Sequence, residues 1–172
     1  MVDLEPISAL GFFAVSRRLE VKQIVVFDYI DASGEYAKLM EDEEAAQREL
    51  RTLAANMQRF LDSEEVVING QRVRPRVVGV DVGFRGSPED VYIVFFIRFK
   101  GKPVKGDNYY ENIYEDEVAE YPIAAYWVFP PRSRVRSVEM SGEVVILRPN
   151  IVAVKIQEGE RIHGYERIVF TL

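Results

Sequence analysis

Residues 76–99 read RVVGVDVGFRGSPEDVYIVFFIRF. Two runs rich in β-branched and aromatic residues, 76–84 and 91–99, flank RGSPED, whose Gly, Ser and Pro are the chemistry of a turn. Closing that turn symmetrically sets Val82 opposite Ile93 and Val80 opposite Phe95 on one surface. On the other surface Gly83 meets Tyr92 and Gly79 meets Phe96, so aromatic rings cover the gaps that glycine leaves. The second run is apolar on both faces, which calls for a cover on each: a folded-over sheet, a barrel interior or another subunit.

Working outward, strand patterns occupy 7–15 and 21–30 on the N-terminal side. They recur at 123–129, about 134–140, 143–148, 150–157 and 165–171. The segment EVVINGQRVRP centres on Asn69-Gly70, two residues that tolerate positive φ, and so predicts a hairpin. Between the early strands and this hairpin, Tyr36, Leu39, Met40, Ala46, Leu50, Leu53, Met57 and Phe60 repeat with helical spacing. Ser33 suits the N-cap of that helix, and the acids of Glu41–Glu44 mark an alternative start near Asp42. The expected fold is α+β, a single domain over residues 1–172. It comprises a largely antiparallel twisted sheet of about eight strands, barrel-like or sandwich-like, one long amphipathic helix and one short acidic helix.

The acidic helix is expected near residues 108–119, with Asp107 as its cap, within the stretch DNYYENIYEDEVAE (107–120), which holds six carboxylates and no Lys, Arg or His. Those six equal the whole formal net charge of −6. A helix would gather Tyr110, Ile113, Tyr114, Val118 and Tyr121 into one stripe and leave Glu111 and Glu115 as an i, i+4 pair of like charge. Two Arg rows are the natural answer to such a surface: Arg72, Arg74 and Arg76 in RVRPR, and Arg132, Arg134 and Arg136 in RSRVR. On a strand each trio projects from one face and can grip carboxylates or phosphates through bidentate hydrogen bonds.

Composition narrows the functional classes. With no cysteine, disulfides, thiolate metal sites and cysteine nucleophiles are excluded, and a reducing, cytoplasmic setting is expected. The run 7–15 follows acidic Asp3 and Glu5, unlike a signal peptide, and no apolar run is long enough for a membrane-spanning helix. The acidic balance argues against broad electrostatic binding to nucleic acid or anionic lipid. Sixteen Arg against six Lys, with few Asn and Gln, is a thermophile-like composition. His163 stands alone in a turn-like EGERIHGYE, and neither a calcium-loop spacing nor a Gly-rich phosphate loop occurs, so no metal or cofactor is implied.

The candidate binding residues are therefore Glu111, Glu115, Arg132, Arg134 and Arg136, with Asp81 added because Gly79 and Gly83 flank it on its own face and leave room for a ligand. No catalytic constellation emerges. Three functional readings follow. The first is a non-enzymatic interaction or assembly module, a homo-oligomer or the binder of a protein partner, that joins acidic and Arg-rich surfaces. The second is a small-ligand-binding or hydrolytic domain with a carboxylate site, Asp81 or the Glu111 and Glu115 pair, inside a curled sheet. The third is a phosphate or RNA binder acting through the Arg rows.

Overall fold

The computed structural model describes residues 3–172. In it β5 (Arg76–Phe84) and β6 (Asp90–Lys100) form the antiparallel hairpin read from the sequence, with the Val82–Ile93, Val80–Phe95, Gly83–Tyr92 and Gly79–Phe96 pairs in register. A side chain at either glycine would crowd the facing ring. A Cβ at Gly83 would lie 2.3 Å from Cζ of Tyr92, and one at Gly79 would lie 3.3 Å from the Phe96 ring.

This hairpin is one end of a seven-stranded sheet that also contains β1 (Glu5–Val15), β2 (Glu20–Ile30), β9 (Ile123–Val128), β11 (Glu143–Arg148) and β12 (Ile151–Ile156). The order is β11-β12-β9-β1-β2-β6-β5, antiparallel except where β1 runs parallel to β9. A second, antiparallel sheet has the order β10-β14-β7-β3-β4. It is built from β3 (Glu65–Ile68), β4 (Gln71–Val73), β7 (Asp107–Ile113), β10 (Arg134–Glu139) and β14 (Tyr165–Thr171). The β3–β4 hairpin turns at Asn69 (φ 49°) and Gly70 (φ 79°), both left-handed as the Asn-Gly pair predicts. A two-stranded ribbon, β8 (Glu117–Val118) with β13 (Arg161–Ile162), completes the strands.

The two large sheets face each other across a core that includes Phe13, Phe99, Trp127 and Val152 from one and Ile68, Tyr110, Ile168 and Phe170 from the other. The helices α1 (Glu35–Glu41) and α2 (Glu43–Asp62) cover the remaining inner surface through Tyr36, Leu61, Leu53 and Met57, which pack over Val91, Ile93 and Phe95. One alternating row on β6 thus serves two cores. No closed barrel forms, which corrects the barrel-like alternative and the single sheet of about eight strands. The reason is that the strands divide between two sheets, whose end strands β11 and β5 in one and β10 and β4 in the other do not pair with each other. Helix α2 lies beside β5, where Val77 N–H donates to Gln58 Oε1 at 2.9 Å and Gln58 Nε2 donates to the Pro75 carbonyl at 3.0 Å.

The single long helix expected from the periodicity is two helices, broken at the second of the two starts. Asp42 is extended (φ −82°, ψ 114°) and its carboxylate accepts from Ala45 N–H at 2.7 Å, which caps α2. Ser33 accepts from Glu35 N–H at 3.2 Å, but the buried Asp31 carboxylate does more of the work, accepting from Tyr36 N–H at 2.8 Å and from the Ser33 hydroxyl at 2.6 Å.

The short acidic helix does not exist. Residues 107–113 form β7, hydrogen-bonded on one side to β14 and on the other to β3. Its period is two, with Asn108, Tyr110 and Asn112 buried and Asp107, Tyr109 and Glu111 turned to the opposite face. Backbone pairing on both sides outweighs the local helical spacing of a mostly polar heptapeptide. Among the described residues no helix is long and apolar enough to cross a membrane.

Candidate functional site

Beneath the inner face of β7 lies a cavity of about 520 Å³, bounded by both large sheets, the C-terminal end of α2 and the segment joining β7 to β8. Its wall is a run of aromatic rings. Phe13 stacks on Trp127 with centroids 4.0 Å apart and planes within 3°, Tyr110 tilts onto Trp127 at 4.6 Å, and Phe99 lies 6.2 Å from Tyr110. These side chains reach one another because β1, β9, β6 and β7 each present alternate residues to the same interior.

Polar groups converge at one end of that wall. Glu166 follows the inward alternation of Ile168 and Phe170 on β14, and its carboxylate accepts from Tyr110 Oη at 2.8 Å and Tyr114 Oη at 3.5 Å. Glu166 is the register partner of Asn112, whose Nδ2 donates to Glu64 Oε2 at 3.0 Å. Glu64 stands just past the end of α2, where its N–H donates to the Leu61 carbonyl. Asn112 is 6% exposed, and its Oδ1 has no hydrogen-bond partner. Buried amide oxygens are nearly always satisfied, so this orphan acceptor at the cavity marks a place for a donor.

Electrostatics sharpen the picture. Burial, reinforced by the nearby Glu166 and Glu117 carboxylates, pushes Glu64 up to about 7 against the opposing pull of Asn112. Burial raises Glu166 and the Tyr110 and Tyr114 hydroxyls as well. Five carboxylates line the cavity and its mouth (Glu64, Glu115, Asp116, Glu117 and Glu166) and no Lys, Arg or His does. Of these Asp116 is answered: Gly164 N–H donates to it at 2.8 Å and Arg161 Nη2 lies 3.0 Å away, which holds it below the usual carboxylate range.

The residues singled out from sequence are dispersed. Glu111 faces away from the cavity, accepting from Tyr165 Oη at 2.6 Å with Arg167 Nη1 at 3.7 Å, so it forms no pair with Glu115. Glu115 is exposed at the cavity mouth. Arg132 occupies a left-handed turn (φ 70°) and Arg134 starts β10, both exposed, while a register shift at Arg136 breaks the expected row. Arg136 does meet the acidic segment, at Asp107, with 3.8 Å between Nε and Oδ1. In the other row Arg74 grips Asp62 through two bonds of 2.8 and 2.7 Å, holding that carboxyl down at about 2. Asp81 is exposed on the outer face of the seven-stranded sheet, where Phe96 and Tyr92 fill the space beside its flanking glycines.

Glu64, Tyr110, Asn112, Tyr114 and Glu166 were not selected from sequence. One signal was readable: in YERIVF, Glu166 shares its face with Ile168 and Phe170, a carboxylate in an apolar row.

No family model matches the sequence, and no curated protein matches it. The solved structures it resembles include a protein from Parabacteroides distasonis ATCC 8503 provisionally described as a protease, 5% identical with a TM-score of 0.37, the likeness covering 98% of this chain and 40% of that one. Another is an M1 zinc metallopeptidase from Deinococcus radiodurans, 9% identical with a TM-score of 0.38, covering 96% of this chain and 42% of that one. The chain spans about two fifths of the length of these proteins, and likenesses this distant carry no functional weight.

Proposed function

We propose that this chain is a small-molecule-binding domain whose ligand occupies the cavity between the two sheets and the end of α2. The observation that carries this reading is the buried, unpartnered Oδ1 of Asn112 at the polar end of an aromatic-walled cavity. Trp127, the only tryptophan, lines that cavity and reports its occupancy. Titration with the neutral apolar probe N-phenyl-1-naphthylamine is expected to change Trp127 emission saturably. Ala125→Leu, which fills space on the cavity side of β9, is expected to abolish the change while the chain stays folded by circular dichroism. An unresponsive Trp127, or binding unaffected by Ala125→Leu, would remove the reading.

A second reading, self-association, is favoured by the outer face of the seven-stranded sheet. There Phe12, Ile24 and Phe96 face one another across β1, β2 and β6 at 40%, 37% and 41% exposure. Lys22, Arg98 and Arg76 form the next register row on one side, and Asp81 lies on the other. A two-fold axis along the apolar row would set Arg76 of one copy against Asp81 of a second. Dimers that Phe12→Lys disperses are expected in native mass spectrometry; a monomer at about 100 µM would exclude this reading.

A further inference from the structure

We infer that the occupant of the cavity is an organic cation: an amine on an aromatic or aliphatic body, its ammonium among Glu64, Glu166 and Asn112 and its body against the Phe13–Trp127–Tyr110 wall. This rests on the ligand-binding reading above and goes further by naming the chemistry.

Hydrogen-bond capacity comes first. Tyr110 and Tyr114 have already spent their hydroxyl protons on Glu166, and the Asn112 amide has spent one on Glu64. What remains open at the polar end is mostly acceptor: Asn112 Oδ1 and the oxygens of the ionised carboxylates beside it, against one remaining amide proton of Asn112. An ammonium brings three donors and no acceptor, which matches. A ligand carboxylate or phosphate would bring only further acceptors.

Charge points the same way. Five carboxylates and no cationic side chain line the cavity and its mouth, and the carbonyl end of the twenty-residue helix α2 adds partial negative charge beside Glu64. Such a field concentrates cations at the entrance. Arg161 and His163, beside the mouth, lie outside the lining and stand against Asp116, at 3.0 and 3.8 Å.

A metal ion is the poorer fit. Among the described residues no three His, Cys, Asp or Glu side chains stand in positions to hold one, whereas Mg²⁺ and Ca²⁺ need six or more oxygen ligands. The rest of the wall is ring surface. Trp127 and Tyr110 pack on each other with centroids 4.6 Å apart and offer apolar ring surface to the body of the amine.

The cation also resolves an internal conflict. Glu64 faces Glu166 from β14, Asn112 and Tyr110 from β7, Tyr114 from the segment after β7, and Glu117 from β8, none of which offers it positive charge. An arriving ammonium supplies it and holds Glu64 ionised. Because an alkylamine keeps its proton through neutrality, binding to the ionised form strengthens as Glu64 loses its own proton.

The test uses three ligands of nearly equal shape, 4-phenylbutylamine, 4-phenylbutanol and 4-phenylbutyrate, titrated by calorimetry and by Trp127 fluorescence. The amine is expected to bind at least about tenfold more tightly than the alcohol, with the carboxylate weakest. Its affinity should rise about tenfold from pH 6 to pH 8, as expected for a carboxyl titrating near 7, while the alcohol stays flat. The His163→Asn variant, which removes the imidazole beside Asp116, should keep the slope. The double variant Glu64→Gln/Glu166→Gln should lose the amine preference and keep alcohol binding. Alcohol or carboxylate binding as tightly as the amine, a flat amine profile, or displacement of the amine by millimolar Ca²⁺ would overturn the organic-cation assignment and leave the cavity reading standing. Binding of none of the three would overturn both.

Discussion

The two faces of β7 treat acids in opposite ways. On the outer face Glu111 is bonded to Tyr165, Arg167 stands 3.7 Å away, and that guanidinium lies over the Tyr109 ring at 4.5 Å. On the inner face Glu64 and Glu166 meet only Asn112 and two tyrosine hydroxyls. A wet face can carry charge with a loosely held counter-ion, because water does most of the screening. A dry face without a cation instead raises the carboxyl pKa and leaves acceptor capacity unspent. The like charge of residues 107–120 is thus answered from within the chain at Asp107, Glu111 and Asp116, by Arg136, Arg167 and Arg161. At the cavity it is left for something else to answer.

The most disruptive way to break this contrast is Tyr110→Ala. It removes a buried ring lying between Trp127 and Phe99 and strips Glu166 of its 2.8 Å donor. A loss of about 3–5 kcal/mol in urea unfolding is expected; a loss below about 1 kcal/mol would mean the cavity wall is not part of the packed core.

Glu64→Gln sharpens the contrast through pH. The folded-state pKa of Glu64, about 7, lies above its ordinary 4.5, so the folded chain holds this proton more tightly than the unfolded chain. The group therefore favours folding below about pH 4.5, and that contribution is lost as pH rises through 7. Removing the charge should raise stability by about 1–3 kcal/mol at pH 8 and change little at pH 4.5. Equal effects at both pH values in urea melts would show that Glu64 does not titrate as described.

On the outer face Arg167→Ala should cost about 1 kcal/mol or less, an effect that fades in 1 M salt. The smallest change is expected from Arg136→Gln, within about 0.5 kcal/mol, since its contact with Asp107 is 3.8 Å long and exposed on both sides. A thermal-melt ranking that placed either above Tyr110→Ala would reverse the assignment of wet and dry faces.

Legibility from sequence tracked the distance along the chain over which each feature is decided. The β5–β6 register was readable because five residues connect the strands and the aromatic rings fill the space that the facing glycines leave. The turn at Asn69-Gly70 was readable for the same reason, its chemistry lying within two residues. The acids of Glu41–Glu44 marked only an alternative start near Asp42, and the single long helix expected there is broken at that residue. Residues 107–113 misled because seven mostly polar residues carry a helical stripe and a strand alternation equally well.

By itself the sequence determined an α+β chain dominated by antiparallel strands, the β5–β6 hairpin with its glycine–aromatic pairs, the amphipathic helical region and a local excess of acid. Tertiary structure alone decided that the strands divide into two facing sheets, that the acidic segment is a strand buried on one side, and that Glu64, Asn112 and Glu166 share a cavity. The physical reason is separation. The Glu64–Asn112 and Tyr110–Glu166 hydrogen bonds join residues 48 and 56 positions apart, and no local propensity encodes which distant strand will supply the backbone partner that fixes the direction of a side chain.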